Sequence, residues 1–377
     1  MLKKIKILVV GMSDNLGGIE TYLIGLYRNI NKEIFDLKFL IFDNSTPCFY
    51  EEIKNDIIYI KPRNHSYFHF KSQLKEIYQK YDFDIIHFNL MSFSFYEPVE
   101  IALKYSKARL ILHSHVAGNK KDSFKTNLLS WLGEKKILRE KYFKRYVLFG
   151  CSQKAIYDLF GKYSFLKKEN NYVVNNGINI KKFMFNSEDR IRIRKKLALD
   201  DDTILIGHVG RFTYAKNHKK ILSIFNKLYK NNDKYKLLLI GNGEQKDNIV
   251  KMINHYQINN SVIILSNICD VSNYLFAMDM FIFPSLYEGL GIAIIEAQAS
   301  GLQCFISNNI PNEVNLTNRI HRCDINDSDD IWAKKIIEYS NMINDRNINY
   351  KDLEQFDLKQ SVCYVEKIYR KIVEEEQ

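Results

Sequence analysis

Short apolar runs alternate with segments of helical period along the chain. In the first half the runs are Lys6–Val10, Lys38–Ile41, Ile57–Ile60, Ile85–Phe88, Arg109–His113, Tyr146–Phe149 and Tyr172–Val174. Segments such as Ile19–Asn29 and Phe70–Lys80 fall between them with helical spacing. Strand and helix in turn predict a parallel sheet covered on both faces. The pattern then breaks. Asn175-Asn-Gly177 reads as a turn, and Lys181 to Asp202 is polar and charged, with no strand signal. A second series starts at Ile204-Leu-Ile-Gly-His-Val-Gly210 and continues through Lys236–Ile240, Val262–Leu265, Met280–Phe283 and Gln303–Ile306. It predicts a second doubly wound α/β domain, with the boundary between Asn175 and Asp202. The stretch from Leu358 to Glu375 is amphipathic and reads as a helix.

Length agrees with two cores, since 377 residues exceed one typical domain. Hydrophobic residues at 46% and charged residues at 26% exclude a disordered chain. No run reaches the roughly 18 to 20 apolar residues of a membrane span. The apolar start is broken by Lys6 and stops at Ser13-Asp14, which is short for a signal peptide and fits a first buried strand. The six cysteines are scattered and form no Cys-x-x-Cys pair, so buried thiols in a reducing, cytoplasmic compartment are expected.

The net charge of +11 changes the picture, because it favours an anionic partner. Nine cations lie between Gly118 and Arg145 (Lys120, Lys121, Lys125, Lys135, Lys136, Arg139, Lys141, Lys144, Arg145), interleaved with Phe124, Leu128, Leu129, Trp131, Leu132 and Ile137. Such a stretch suits an anionic bilayer surface, or else a solvated helix packed on its own domain.

The chemistry concentrates after three strands. Met280–Pro284 leads into Glu288-Gly289-Leu290-Gly291-Ile-Ala-Ile-Ile-Glu296, a glycine loop that opens a helix with an acid at either end. Free N–H groups and the positive end of the helix dipole there suit a phosphate, while the two carboxylates suit neutral hydroxyls; together they point to a sugar nucleotide. Gly210 is followed by Arg211 and Lys216, a bidentate cation and a point charge for a diphosphate. Gly241 and Gly243 follow the next strand as a close-approach loop. In the first domain Gly11-Met-Ser-Asp-Asn-Leu-Gly17-Gly18 forms a similar loop but does not satisfy Gly-x-Gly-x-x-Gly. Of His113-Ser-His115, His113 is expected to be buried and His115 to turn the other way, into a cleft. His65, His69 and His87 carry no comparable context. Asp82-Phe-Asp84 precedes its strand and reads as helix-to-strand punctuation, not a metal site.

These motifs run in one order: Gly17-Gly18-Ile-Glu20, His113-Ser-His115, Asn175-Asn-Gly177-Ile-Asn179, Gly210-Arg211 with Lys216-Asn217, Gly241-Asn-Gly243, and Pro284 through Glu296. In that order they resemble the retaining glycosyltransferases of family 4, which have the GT-B fold. Cys151-Ser-Gln-Lys-Ala and Ser307-Asn-Asn-Ile-Pro311 are similar to the branch that builds bacterial capsule or exopolysaccharide. The resemblance implies two Rossmann-like domains facing across a cleft: an acceptor domain over 1–180, a nucleotide-sugar domain over 181–357, and a helix over 358–377 crossing back to the first. It implies that Arg211 and Lys216 hold the diphosphate, Glu296 the ribose and Glu288 the donor sugar. Gly289, Leu290 and Gly291 would touch sugar and phosphate, with Gly17, Gly18, Gly241 and Gly243 lining the donor site, and His115 would reach in near the sugar. A UDP-sugar donor, a lipid-linked saccharide acceptor and no divalent metal follow from the same likeness. A sugar-nucleotide 2-epimerase shares the architecture but not the ordered Arg, Lys and Glu set. A basic nucleic-acid-binding protein would need a binding module that is not seen.

Overall fold

The computed structural model describes residues 3–14, 17–43, 45–47, 49–115, 124–161, 163–166, 168–268, 270–340 and 345–375. Lys120 and Lys121 of the basic stretch, and Cys48 and Cys269, lie outside the described residues. The chain forms two compact units, Met1–Gly177 with Leu358–Gln377, and Ile178–Asp357.

The first unit is built on β1 (Ile5–Val10), β2 (Phe35–Phe42), β3 (Ile57–Ile60), β4 (Ile85–Leu90), β5 (Arg109–Ser114), β6 (Tyr146–Gly150) and β7 (Asn171–Val173), in the order β3-β2-β1-β4-β5-β6-β7. Each of these pairings is parallel. Alternate strand residues enter two separate cores: Leu8, Val10, Ile86, Leu110 and Leu148 one, Ile7, Val9, Ile85, Ile111 and Val147 the other. Burial on both faces is why these strands read as unbroken apolar runs. The helix Leu358–Glu374 closes the second core through Val362, Val365, Ile368, Tyr369 and Ile372, one stripe at helical spacing.

The second unit carries β8 (Ile204–Val209), β9 (Tyr235–Ile240), β10 (Val262–Leu265), β11 (Met280–Phe283), β12 (Gln303–Ser307) and β13 (Ile320–Cys323), ordered β10-β9-β8-β11-β12-β13 and again parallel. Strand β13 has no counterpart among the predicted strands, because this edge strand, Ile-His-Arg-Cys, contains no apolar run. The polar segment before β8 is not featureless. It holds a helix, Ser187–Lys196, capped by the Asn186 side chain. Arg190 and Arg194 of this helix converge on Asp279, which is 1% exposed, at 2.6 and 3.2 Å. Asp279 also accepts the Leu205 N–H at 2.6 Å, tying the starts of β8 and β11 to one carboxylate.

Other expectations need correction. Asn175–Gly177 is not a turn; it runs straight to Ile178, which bridges Asp357 in parallel and donates to the Phe356 carbonyl at 2.8 Å. Gly177 is required there for approach, because a Cβ would stand 2.7 Å from the Leu358 Cα. Cys151, Cys304 and Cys323 are buried, but Cys363 is exposed, on the outer side of its helix. Asp82–Asp84 is punctuation as read: Asp82 has φ 43°, and the Asp84 carboxylate accepts the Lys6 N–H at 2.7 Å.

The basic stretch contains the helix Phe124–Ile137. Its inner side rests on the unit through Gly133, against the Phe93 carbonyl, and through buried Ile137. Two of its cations do structural work. Lys136 bonds the Tyr96 hydroxyl at 2.9 Å, and Arg145 donates to the carbonyls of Leu103, Ser106 and Ala108. Outward, Leu128, Trp131 and Leu132 are 46, 54 and 36% exposed beside exposed Lys135. Among the described residues no helix is long and apolar enough to cross a membrane.

Asp279→Ala leaves two guanidinium groups and a strand N–H without their shared acceptor, a loss of about 3 to 5 kcal/mol. A lowered thermal midpoint is expected; a midpoint equal to that of the wild type would show that the arginines find other partners.

Candidate active site

In the second sheet β8 and β11 are neighbours, yet the chain leaves β8 towards β9 and leaves β11 towards β12. Diverging connections open a crevice beyond the strand ends, the usual ligand position in an open α/β sheet. The loops that flank it are joined by one backbone bond and one from a side-chain amide. The Leu286 N–H donates to the Ala215 carbonyl at 2.8 Å, and the Asn217 amide to the Pro284 carbonyl at 3.1 Å. After β9, Gly241 passes so close that a Cβ would lie 2.0 Å from the Gly210 oxygen, and Gly243 packs likewise on the Phe212 backbone. The Phe212 N–H bonds the Asn242 carbonyl at 2.8 Å, so the loops after β8 and β9 form one rim.

Lys216 and Glu288, 72 residues apart, meet on this crevice with Nζ 2.7 Å from Oε1. Both side chains are largely buried, and Nζ also lies 4.5 Å from the centre of the Phe283 ring. Arg211 is exposed and has no ion-pair partner among the described residues. Behind the loop His208 and His218 are buried; burial first and the Lys216 charge second push His218 down to about 4, so this floor is uncharged.

Gly289 is half-buried, Leu290 is buried, and Gly291 takes φ +95° to open the helix Ile292–Ala299. A glycine there offers no side-chain cap to the first-turn N–H groups. Glu296 stands one turn inside. Its carboxyl makes no hydrogen bond among the described residues and is pushed up to about 7, chiefly by desolvation. Lys182 and Asp270, paired at 3.2 Å, act on it in opposite directions, lowering and raising. Sequence reading missed this pair, because a lone Lys and a lone Asp carry no motif.

In the first unit Gly17 and Gly18 begin the helix Gly18–Asn29, and the buried Glu20 carboxylate turns back to accept the Ser13 N–H and hydroxyl at 3.1 and 2.7 Å. His113 and His115 do not face opposite ways. Their ring centres are 3.9 Å apart, since strand alternation returns residues i and i+2 to the same side. His87, given no role from sequence, is fully buried between the Tyr369 hydroxyl at 2.7 Å and His113 Nδ1 at 3.1 Å. His115 Nε2 lies 2.8 Å from Asn89 Oδ1.

Residues 189–347 match the family model of the glycosyl transferases group 1. EpsF of Bacillus subtilis (strain 168), which carries a glycosyltransferase designation, is 27% identical over 347 residues, covering 88% of this chain and 86% of that one. The UDP-Gal:alpha-D-GlcNAc-diphosphoundecaprenol alpha-1,3-galactosyltransferase of Escherichia coli is 30% identical over 142 residues, 36% of each chain. The crystal structure of Anabaena HepE in complex with UDP and glucose superposes with a TM-score of 0.73 at 15% identity, covering 97% of this chain and 99% of that one, a likeness of fold. Residues 189–347 are thus a glycosyl transferases group 1 domain, and the two parallel-sheet domains have the fold of GT-B glycosyltransferase structures.

Glu296 sets a pH dependence. Its carboxyl is raised from 4.5 to about 7, so burial favours the protonated form, and the native state bears the cost of ionisation as pH rises through 7. Glu296→Gln removes that cost. The variant is expected to match the wild type at pH 4 and to exceed it at pH 8 by up to about 3 kcal/mol, read by denaturant unfolding at the two pH values. Equal stability at pH 8 would show that the carboxylate is solvated.

Proposed function

We propose that this protein is a retaining, family 4 glycosyltransferase that moves a sugar from a UDP-sugar to a lipid-linked saccharide in bacterial surface polysaccharide synthesis. The observation that carries it is the crevice between β8 and β11, where Lys216 meets Glu288, Arg211 stands free and Glu296 waits one turn inside a helix with an open N-terminus. The UDP and glucose of HepE, and the diphosphoundecaprenol-linked acceptor of the Escherichia coli relative, support the two substrates.

In this reading the diphosphate draws Lys216 away from Glu288 and gains Arg211, so positive charge faces the oxygen that becomes anionic as the glycosidic bond breaks. Glu288, released, accepts hydroxyls of the donor sugar. Glu296 accepts those of the ribose, and the first-turn N–H groups behind Gly291 meet the phosphate. The backbone at Gly241, Gly243, Gly289 and Leu290 shapes the donor site. His115, Gly17 and Gly18 are the first unit's candidates for contact with the reacting sugars. Two cations supply the countercharge that a metal would otherwise bring, so no divalent ion is required. The exposed Leu128, Trp131 and Leu132 beside Lys135 give the first unit a surface for an anionic bilayer, where a lipid-linked acceptor resides.

With a panel of UDP-sugars and polyprenyl-diphosphate saccharides, Arg211→Ala and Lys216→Ala should each lower kcat/KM by about 2 to 4 kcal/mol, roughly 30- to 1000-fold. Turnover at the wild-type level in both variants would overturn the assignment, and release of an epimerised UDP-sugar without acceptor would make it an epimerase. Activity should persist in EDTA; a loss restored by Mg²⁺ or Mn²⁺ would refute metal independence. Trp131→Ala combined with Lys135→Ala should reduce co-sedimentation with phosphatidylglycerol vesicles, and unchanged pelleting would remove the membrane surface from the reading.

A further inference from the structure

Asn89, the penultimate residue of β4, lies beside His115, and its amide faces two partners of different chemistry. Nδ2 lies 3.1 Å from the Val10 carbonyl, and Oδ1 lies 2.8 Å from His115 Nε2. A carbonyl oxygen can only accept, so the amide nitrogen belongs on Val10 and the amide oxygen on the imidazole. That oxygen can in turn only accept, so Nε2 must carry the hydrogen. A neutral imidazole has one N–H, which leaves Nδ1 of His115 as a lone pair. Nδ1 is buried and meets no hydrogen-bond partner among the described residues, nor does the nearby hydroxyl of Tyr22.

The surroundings keep the ring neutral. Among the described residues, the titratable groups around it are His113, two residues earlier, His87 on β4, Tyr22 on the helix Gly18–Asn29, and Tyr369 behind His87. Burial pushes His87 and His115 down to about 3 and His113 well below its usual value, and raises both tyrosines. The nearest acid of that helix, Glu20, is committed to Ser13.

We infer that Asn89 is a positioning residue that holds His115 as the Nε2–H tautomer, so that His115 presents a lone pair at Nδ1 and takes a hydrogen bond from a substrate hydroxyl. The inference rests on His115 being a site residue, as proposed above. It excludes His115 as a proton donor to the leaving group. An amide is suited to the task because it cannot ionise: a carboxylate in its place would accept the same N–H but also stabilise the imidazolium, turning Nδ1 into a donor.

Two measurements test this separately from the assignment itself. Two-bond ¹H–¹⁵N correlations of histidine-labelled protein, with His115 assigned by the His115→Ala variant, should show the Nε2–H tautomer. An Nδ1–H or imidazolium pattern at pH 7 overturns the proposal whatever the activity. In Asn89→Asp the His115 signals should become those of the imidazolium at acid pH, and the ratio of variant to wild-type kcat/KM should fall about tenfold or more from pH 8.5 to pH 6. A ratio independent of pH, with His115 neutral in the variant, reduces Asn89 to a strut between strands. Full activity of His115→Ala would instead remove His115 from the site, and the spectrum would still decide the tautomer. Should Asn89→Asp fail to fold, the wild-type spectrum remains decisive.

Discussion

The site depends on one topological constraint. Two neighbouring parallel strands, β8 and β11, must send their onward chains in opposite directions. Neither connection then covers the space beyond their ends, and the loops that leave it have to satisfy one another. They do so through the Leu286 N–H on Ala215, through the Asn217 side-chain amide on the Pro284 carbonyl, and with a glycine at 241 that leaves no room for a side chain. Rigid walls built from backbone leave the side chains Arg211, Lys216 and Glu288 for ligand chemistry.

Two ion pairs in the same unit show how number of bonds separates structure from function. Asp279 is gripped by Arg190, Arg194 and a strand N–H, all facing inward, and no solute reaches it. Glu288 has one short contact to Lys216, at the open end of the sheet. Both pairs are desolvated, but the first is over-determined and the second can be exchanged for another anion at the cost of a single bond. Arginine suits the first role through its fork, and lysine the second as a mobile point charge.

Much of the fold was legible because strands buried on both faces announce themselves as apolar runs. Edge strand β13 escaped because His and Arg stand side by side between its Ile and Cys, and the helix Ser187–Lys196 because its work is done by arginines that read as solvent-exposed. Lys216 and the two glutamates were visible from their spacing after strands. The Lys182–Asp270 pair was not, since proximity in space leaves no trace in spacing. His113 is buried as expected, but the readings of His115 and His87 failed for a different reason: their roles are set by which atom faces which, and a residue such as His87 acquires meaning only once Tyr369 arrives from the far end of the chain.

That distance has a consequence for synthesis. The first core is lined by Val362, Val365, Ile368 and Tyr369, which emerge from the ribosome only after the whole of Ile178–Asp357. The seven-stranded sheet therefore spends that interval with part of one flank uncovered, while the second unit already has all of its own residues. The first core therefore cannot be completed before the residues of the second unit have been made, whatever the usual order of N-terminal domain first. A nascent chain stopped before Leu358 holds a finished second unit and an unfinished first one, with the apolar stripe beneath the last helix open to chaperones.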